Sequence, residues 1–221
     1  MSDDSFIREV NEELRTDQAK ALWDRYGPFA LAIAIAVVVG TGLFVAWEYW
    51  TQTKANASGD EFSRALVLAK DGKQDEALAA LKALETGGYG NYPILARLRA
   101  ATVLQQQGKP ADAVAEFDAV AADTGVPESI RDMARLRAGY VLVDHGAYAE
   151  VSARVEALTA ETNTLRHAAR ETLGLSAFKE GRTSDALKLF EQIAGDAAAP
   201  RNTRERATLM AELIRGGGNA G

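Results

Sequence analysis

Few residues in this chain combine the types and spacing that chemistry requires. His167 and Glu171, in RHAARETLGL, stand four apart and would share one helix face, which is half of a metal site. No third ligand follows at a workable spacing. His145 sits between Asp144 and Gly146, where a helix end places it near carbonyl dipoles. Gly87, Gly88 and Gly90 hint at a phosphate loop, but they follow a helical pattern instead of a strand and lack the third glycine of GxGxxG, so a turn is expected. Asp75 and Glu76 read as solvated helix surface. With no cysteine in 221 residues, a thiolate zinc site, a cysteine nucleophile and a disulfide framework are excluded. The chain is expected not to be an enzyme: no catalytic residue, cofactor or metal ligand is assigned. Its net charge of −6 lacks the basic footprint of a nucleic-acid partner.

The elements that would carry a site announce themselves by repetition. GKPADAVAEF at Gly108 returns as GRTSDALKLF at Gly181, and weaker copies start at Gly72 and Gly146, giving spacings of 36, 38 and 35. Five residues after each glycine come Ala77, Ala113, Val151 and Ala186; nine after come Leu81, Phe117, Val155 and Phe190. Seven before stand Ala65, Ala101, Gly139 and Gly174, four before stand Leu68, Leu104, Leu142 and Ala177, and twelve after stand Leu84, Val120, Leu158 and Ile193. Apolar steps of three and four on both sides of the glycine predict a pair of amphipathic helices per copy, the glycine ending the first in a left-handed conformation. Small residues at minus seven and plus five permit a close crossing, and the large residue at plus nine is expected to fill the gap between neighbouring hairpins. After Pro200, RNTRERATLMAELIR predicts a last, capping helix, and GGGNAG a frayed tail.

Ahead of the repeats, YGPFALAIAIAVVVGTGLFVAW runs from Tyr26 to Trp47 without a single charged residue. As a helix it reaches about 33 Å, against a hydrocarbon core of about 30 Å. Gly27 and Pro28 fit a first helical turn, while Trp47, Tyr49 and Trp50 form an aromatic belt for the headgroup layer. Arg15, Lys20 and Arg25 flank the N-terminal side and only Lys54 closely flanks the other, which predicts a cytoplasmic N-terminus. Ala55-Asn-Ala57 resembles a signal cleavage site, but the apolar run is longer than a signal core and the site lies past WEYWTQTK, so an uncleaved anchor is expected. Ala32, Ala36 and Gly40 make a small-residue stripe for packing against another membrane helix. Phe6, Ile7, Val10 and Leu14 form one face of a short N-terminal helix capped by Asp4 or Ser5, suited to the inner membrane surface or to a partner, with a short solvated helix leading into the span as the equal alternative.

The periodicity resembles the tetratricopeptide repeat, whose helix pairs recur about every 34 residues. The third copy departs from it, with Val151 and Val155 where that repeat prefers alanine and an aromatic. The expected fold is all-α: a cytoplasmic amphipathic segment (1–25), one transmembrane helix (26–50), a linker (51–57), a tetratricopeptide-like α-solenoid of about four helical hairpins plus a capping helix (58–215), and a disordered tail (216–221). In such arrays the first helices line a concave face, which places Leu98, Leu136, Tyr140, Val143, Leu175 and Phe178 at or near a candidate groove for a polypeptide segment. Packing between units, or occupation by the chain's own last helix, is the other reading of those positions.

The order of parts also resembles the ancillary subunit of the bacterial SecYEG translocon. The resemblance is carried by PFALAIAIAVVVGTGLFVAWEYW, with Trp47, Tyr49 and Trp50, followed by repeats from Ser58. It implies a non-enzymatic, single-pass protein of the bacterial inner membrane with a periplasmic repeat domain, whose partners are translocon subunits, exported polypeptides and a membrane-anchored periplasmic chaperone. An inner-membrane scaffold for cell division or wall assembly is the alternative on the same architecture, and a reversed topology would make the chain a cytosolic adaptor. If the repeat register is right, Ala113→Leu or Ala186→Leu overpacks a crossing and lowers stability by about 1–3 kcal/mol. Thermal unfolding of the intact chain in detergent tests this, and no loss for either variant would refute the register.

Overall fold

Apolar faces at helical spacing, interrupted by glycine, become helices α1 Asp3–Lys70, α2 Gln74–Gly87, α3 Tyr92–Gln106, α4 Pro110–Ala122, α5 Glu128–His145, α6 Tyr148–Val155, α7 Arg166–Lys179, α8 Thr183–Gly195 and α9 Arg201–Gly217. A 3₁₀ turn, Glu156–Thr159, follows α6. The structure, a computed structural model, describes the backbone of residues 3–217 and the side chains of Thr16 and of Lys20 onward; no strand occurs among the described residues. The chain divides into two compact units, residues 1–54 and 55–221.

In the first unit α1 carries the apolar run. Its mean hydropathy reaches 2.6, and none of that stretch is buried in the protein. By length and composition it is suited to cross a membrane, and its place near the N-terminus suits a signal sequence as well. Pro28 does not open a helix as expected but lies inside α1. A proline there lacks the N–H that would bond the carbonyl four residues back. The Trp23 ring lies 3.2 Å from where a Cβ on Gly27 would be, which explains a glycine beside that proline. Thr41 Oγ1 donates to the Val37 carbonyl at 2.8 Å, so its hydroxyl is satisfied within the helix. The Trp47 and Trp50 rings are 5.7 Å apart, and the Lys54 ammonium lies 5.7 Å from the Trp50 ring, an arrangement of rings and cation suited to an interface. The expected apolar face of Phe6, Ile7, Val10 and Leu14, with its cap at Asp4 or Ser5, lies outside the described side chains.

The second unit is a stack of four hairpins and a final helix. The last stretch of α1, from residue 55, is the first helix of the stack; residues 51–57, expected as a linker, are helical. It shares a core with α2 through Ala65, Ala69, Ala77 and Leu81. Helices α3 and α4, α5 and α6, and α7 and α8 form the other hairpins, and α9 packs on α8 through Ala207, Ala211 and Ile214. Gly216 and Gly217, expected in the tail, end α9; residues 218–221 lie outside the described part.

Three hairpins turn in the same way. Gly72, Gly108 and Gly181 have φ of +80°, +72° and +75°, the left-handed region that favours glycine. At each, the N–H of the next residue reaches back five positions: Lys73 to Leu68, Lys109 to Leu104 and Arg182 to Ala177, at 2.9, 3.0 and 2.9 Å. This closes the open end of the first helix. Each following helix then opens with an acid, Asp75, Asp112 or Asp185, placed to complement its N-terminal dipole.

Gly146 departs from the expected left-handed turn: its φ is −124° and its ψ −179°. Its N–H returns to the Leu142 carbonyl at 2.7 Å, and the Glu150 carboxylate accepts the next N–H, of Ala147, at 2.9 Å. Any residue adopts that backbone. A Cβ here would come 2.8 Å from Leu142 Cδ2 and 3.0 Å from a Glu150 carboxylate oxygen, side-chain ends that would have to shift.

Ala77, Ala113, Val151 and Ala186 at plus five, and Leu81, Phe117, Val155 and Phe190 at plus nine, are all buried. A Cβ on Gly139 would meet Val155 Cγ1 at 2.6 Å, and one on Gly174 would meet the Phe190 ring at 3.0 Å. The plus-nine side chain therefore lies on the minus-seven residue of its own hairpin, instead of serving only the gap to the next one. Continuity between hairpins comes from the core that Phe117, Leu136, Val141, Val155, Ala169 and Leu173 build across three of them. Gly139→Ala should cost about 1–3 kcal/mol, since neither Val155 nor Thr172, 3.3 Å from the same point, has room to retreat. Denaturant unfolding in detergent measures it, and an unchanged midpoint would refute the crossing.

Candidate interaction groove

The first helices of the hairpins bring residues from α1, α3 and α5 around an open cavity of 630 Å³. Leu95, Leu98, Arg99 and Thr102 come from α3, Arg137 and Tyr140 from α5, and Phe62 from the part of α1 within the second unit. The helical repeat produces this lining directly, because residues three and four apart on α3 share one face. The cavity floor includes Phe117, the plus-nine residue of the second hairpin, so the contact that closes this hairpin also shapes the groove.

Two of the six residues expected at a groove, Leu98 and Tyr140, line this cavity. Leu175 and Phe178 are exposed on α7, 37% and 36% respectively. Val143 is half-buried, and its carbonyl, with that of Asp144, accepts from Lys179 Nζ at 2.9 and 2.7 Å. Leu136 is only 2% exposed and belongs to the core. Its expected place at the groove is corrected: α7 packs directly against α5, and Leu136 is enclosed in the core that also contains Ala169 and Leu173 of α7. No α9 residue lines the cavity, so the last helix does not fill it.

Sequence reasoning missed Phe62, Leu95, Arg99, Thr102, Gln105 and Arg137. A signal was present. Arg99 and Arg137 both stand nine positions before a repeat glycine, one repeat apart, and Thr102 and Tyr140 both stand six before. Burial raises the Tyr140 hydroxyl above the ordinary phenol range, helped by the Glu171 charge and opposed by Arg206 and Arg137. Neither Arg99 nor Arg137 has an ion-pair partner among the described residues.

The possible metal pair of the sequence is divided between two other interactions. His167 Nε2 lies 2.6 Å from Asp196 Oδ2, while Glu171 accepts two bonds from Arg206, at 2.7 and 2.9 Å, which fasten α9 to α7. No group of three or more potential ligands occurs among the described residues. Gly87 ends α2, and Gly90, at φ +65°, shapes the turn to α3. In that turn the Tyr89 N–H donates to Ser58 Oγ at 2.9 Å.

Stacked helical hairpins with an open cavity along their first helices define an α-solenoid. A family model described as a tetratricopeptide repeat-like domain matches residues 20–211, and the chain belongs to that family. Such a domain supports a role as a protein–protein interaction module and is typically non-enzymatic. No curated protein and no solved structure matches the chain.

Asp196 ties the start of α7 to the turn before α9. Its carboxyl is held well below the usual carboxylate range, first by the bond with His167, then by the Ala198 N–H at 2.8 Å and the Arg166 guanidinium at 3.1 Å. A lowered pKa in the folded state means that ionisation favours folding. The contribution is complete above the unfolded value near ~4 and fades as pH falls below it. Asp196→Ala should lower the unfolding midpoint at pH 7 and show a smaller decline in acid, its curve converging with that of the natural chain at low pH. Thermal scans across pH read this directly, and parallel curves would refute it.

Proposed function

We propose that this chain is a membrane-anchored, non-enzymatic interaction module of the bacterial inner membrane. In this reading it spans once through residues 26–50, with the N-terminus cytoplasmic and the repeat domain, from about residue 58, periplasmic. The observation that carries it is the pairing in one chain of an unburied, charge-free apolar run with a repeat domain whose groove is open. The resemblance in order of parts supports a narrower role, an ancillary subunit of the SecYEG translocon that links exported polypeptides to a membrane-anchored periplasmic chaperone.

The anchor supplies mechanism as well as address. Confinement to the membrane raises the effective concentration of the domain near a membrane partner to about millimolar, so weak contacts suffice. Isolated residues 55–221 would then bind much more weakly than the anchored chain. Ala32, Ala36 and Gly40 form one exposed helix stripe, and Gly40 has nothing within 4 Å of a built Cβ, which leaves room for a neighbouring membrane helix. Trp47, Tyr49 and Trp50 are exposed at the end of the run, as interfacial anchors would be.

Photo-crosslinking in bacterial cells from Ala32, Ala36 and Gly40, combined with protease accessibility of the repeat domain, tests this reading. The expected result is adducts to translocon subunits, with digestion only after the outer barrier is opened. Adducts to division or wall-assembly proteins would replace the translocon role with that of an envelope scaffold. A domain protected from external protease in spheroplasts would overturn the orientation.

A further inference from the structure

The 630 Å³ groove differs in charge from three other cavities on the repeat domain. Arg99 and Arg137 contribute two cations to its lining, and none of its lining residues is a carboxylate. Each of three other cavities is lined by carboxylates: Asp118 and Glu150 in one, Glu205 and Glu212 in a second, Glu128 and Asp132 in a third. In a chain of net charge −6, a carboxylate-free pair of arginines runs against the composition. Many arginines elsewhere in the domain are paired, as in Arg154 with Asp118 at 2.8 Å, Arg166 with Asp196 at 3.1 Å and Arg206 with Glu171 at 2.7 Å.

The Nε of Arg99 is buried with no hydrogen-bond partner, as are those of Arg131, Arg166 and Arg170, which do not line the groove. The planar fork of arginine matches a carboxylate, which can accept two of its N–H groups together. Beside the polar Thr102 and Gln105, the remaining lining is largely apolar, with Leu95 42% and Tyr140 49% exposed next to Leu98 and Phe62. A purely polyanionic ligand would leave those side chains uncovered, and a small free anion would not fill the space.

We propose that the groove between α3 and α5 binds an acidic polypeptide segment, its carboxylates on Arg99 and Arg137 and a neighbouring large apolar side chain on Leu95, Leu98 and Phe62. This deepens the reading of the domain as a protein-binding module and rests on it. The repeated register of the two arginines lets successive hairpins present the same cation toward one chain, which suits a ligand that runs along the stack.

The test uses the full chain in neutral detergent and a fluorescein-labelled twelve-residue peptide in which Glu alternates with Leu and Phe, read by anisotropy. The expected result is saturable, salt-sensitive binding that weakens about tenfold when Gln replaces Glu in the peptide, and again about tenfold in Arg99→Gln or Arg137→Gln. Arg201→Gln, an exposed cation on α9, should leave binding unchanged. Arg→Lys at both groove positions, which keeps charge but loses the fork, should fall between; it and thermal scans separate lost recognition from lost folding. Equal binding of the Glu and Gln peptides overturns the proposal, and so does competition by inorganic phosphate or phosphatidylglycerol vesicles as strong as that of the unlabelled peptide. Self-association abolished by the same variants would make the occupant a second copy and overturn it too. In all these cases, in-cell polypeptide adducts from a photoreactive residue at Tyr140 would keep the broader reading alive. Absence of both peptide binding and adducts would remove the broader reading as well.

Discussion

The close crossing of a small residue in the first helix of a hairpin by a large one in the second is the contact on which the repeat domain depends. Gly174 beneath the Phe190 ring and Gly139 beneath Val155 leave no room for one more carbon. Ala65 and Leu81 share one buried core, and Ala101 and Phe117 another, at the same repeat positions. A helix of this length gains little from its own hydrogen bonds, and its stability comes from the apolar face it buries. The crossing brings both faces together and fixes the angle at which the next hairpin meets them. Groove shape follows from that angle, since Phe117 belongs both to the crossing and to the cavity floor.

The third hairpin shows how one unit can depart from the pattern without breaking the stack. Val155 replaces the larger side chain of its neighbours, and Gly139, smaller than the alanines at the same position, lets the helices close the gap. The turn changes as well: Gly146 is extended, and Glu150 supplies the acceptor for the Ala147 N–H. Helix α6 stops at Val155 and continues as a 3₁₀ turn, which still buries Leu158. Arg154 pairs with Asp118 of the preceding second helix, and Lys179 donates to the last carbonyls of α5, so each flank of the unusual unit is held by a neighbour.

Charge is distributed according to the same division of labour. Most ion pairs join different helices or turns, as Arg154 does with Asp118 and Arg206 with Glu171. The groove is the exception, with cations that no carboxylate in its lining answers. The same chain carries an apolar run long enough to cross a membrane.

Much of this architecture was legible in the residues. Glycines recurring at 36, 38 and 35, with small and large partners at fixed distances, determined the helices, the hairpins, the buried set and the family to which the chain belongs. The charge-free run from Tyr26 to Trp47 determined that one helix suits a membrane. Periodicity reports which face of a helix is apolar, but not what covers it. Leu98 and Leu136 occupy one register, yet Leu98 lines the groove while Leu136 lies in the core, because α7 lies against α5 and a cavity lies between α5 and α3. The turn at Gly146 was hidden for a similar reason, since a glycine at the repeat position does not by itself say whether its backbone is left-handed or extended. Only the packing of successive hairpins decided where the stack is open, and therefore that Arg99 and Arg137 face a single cavity.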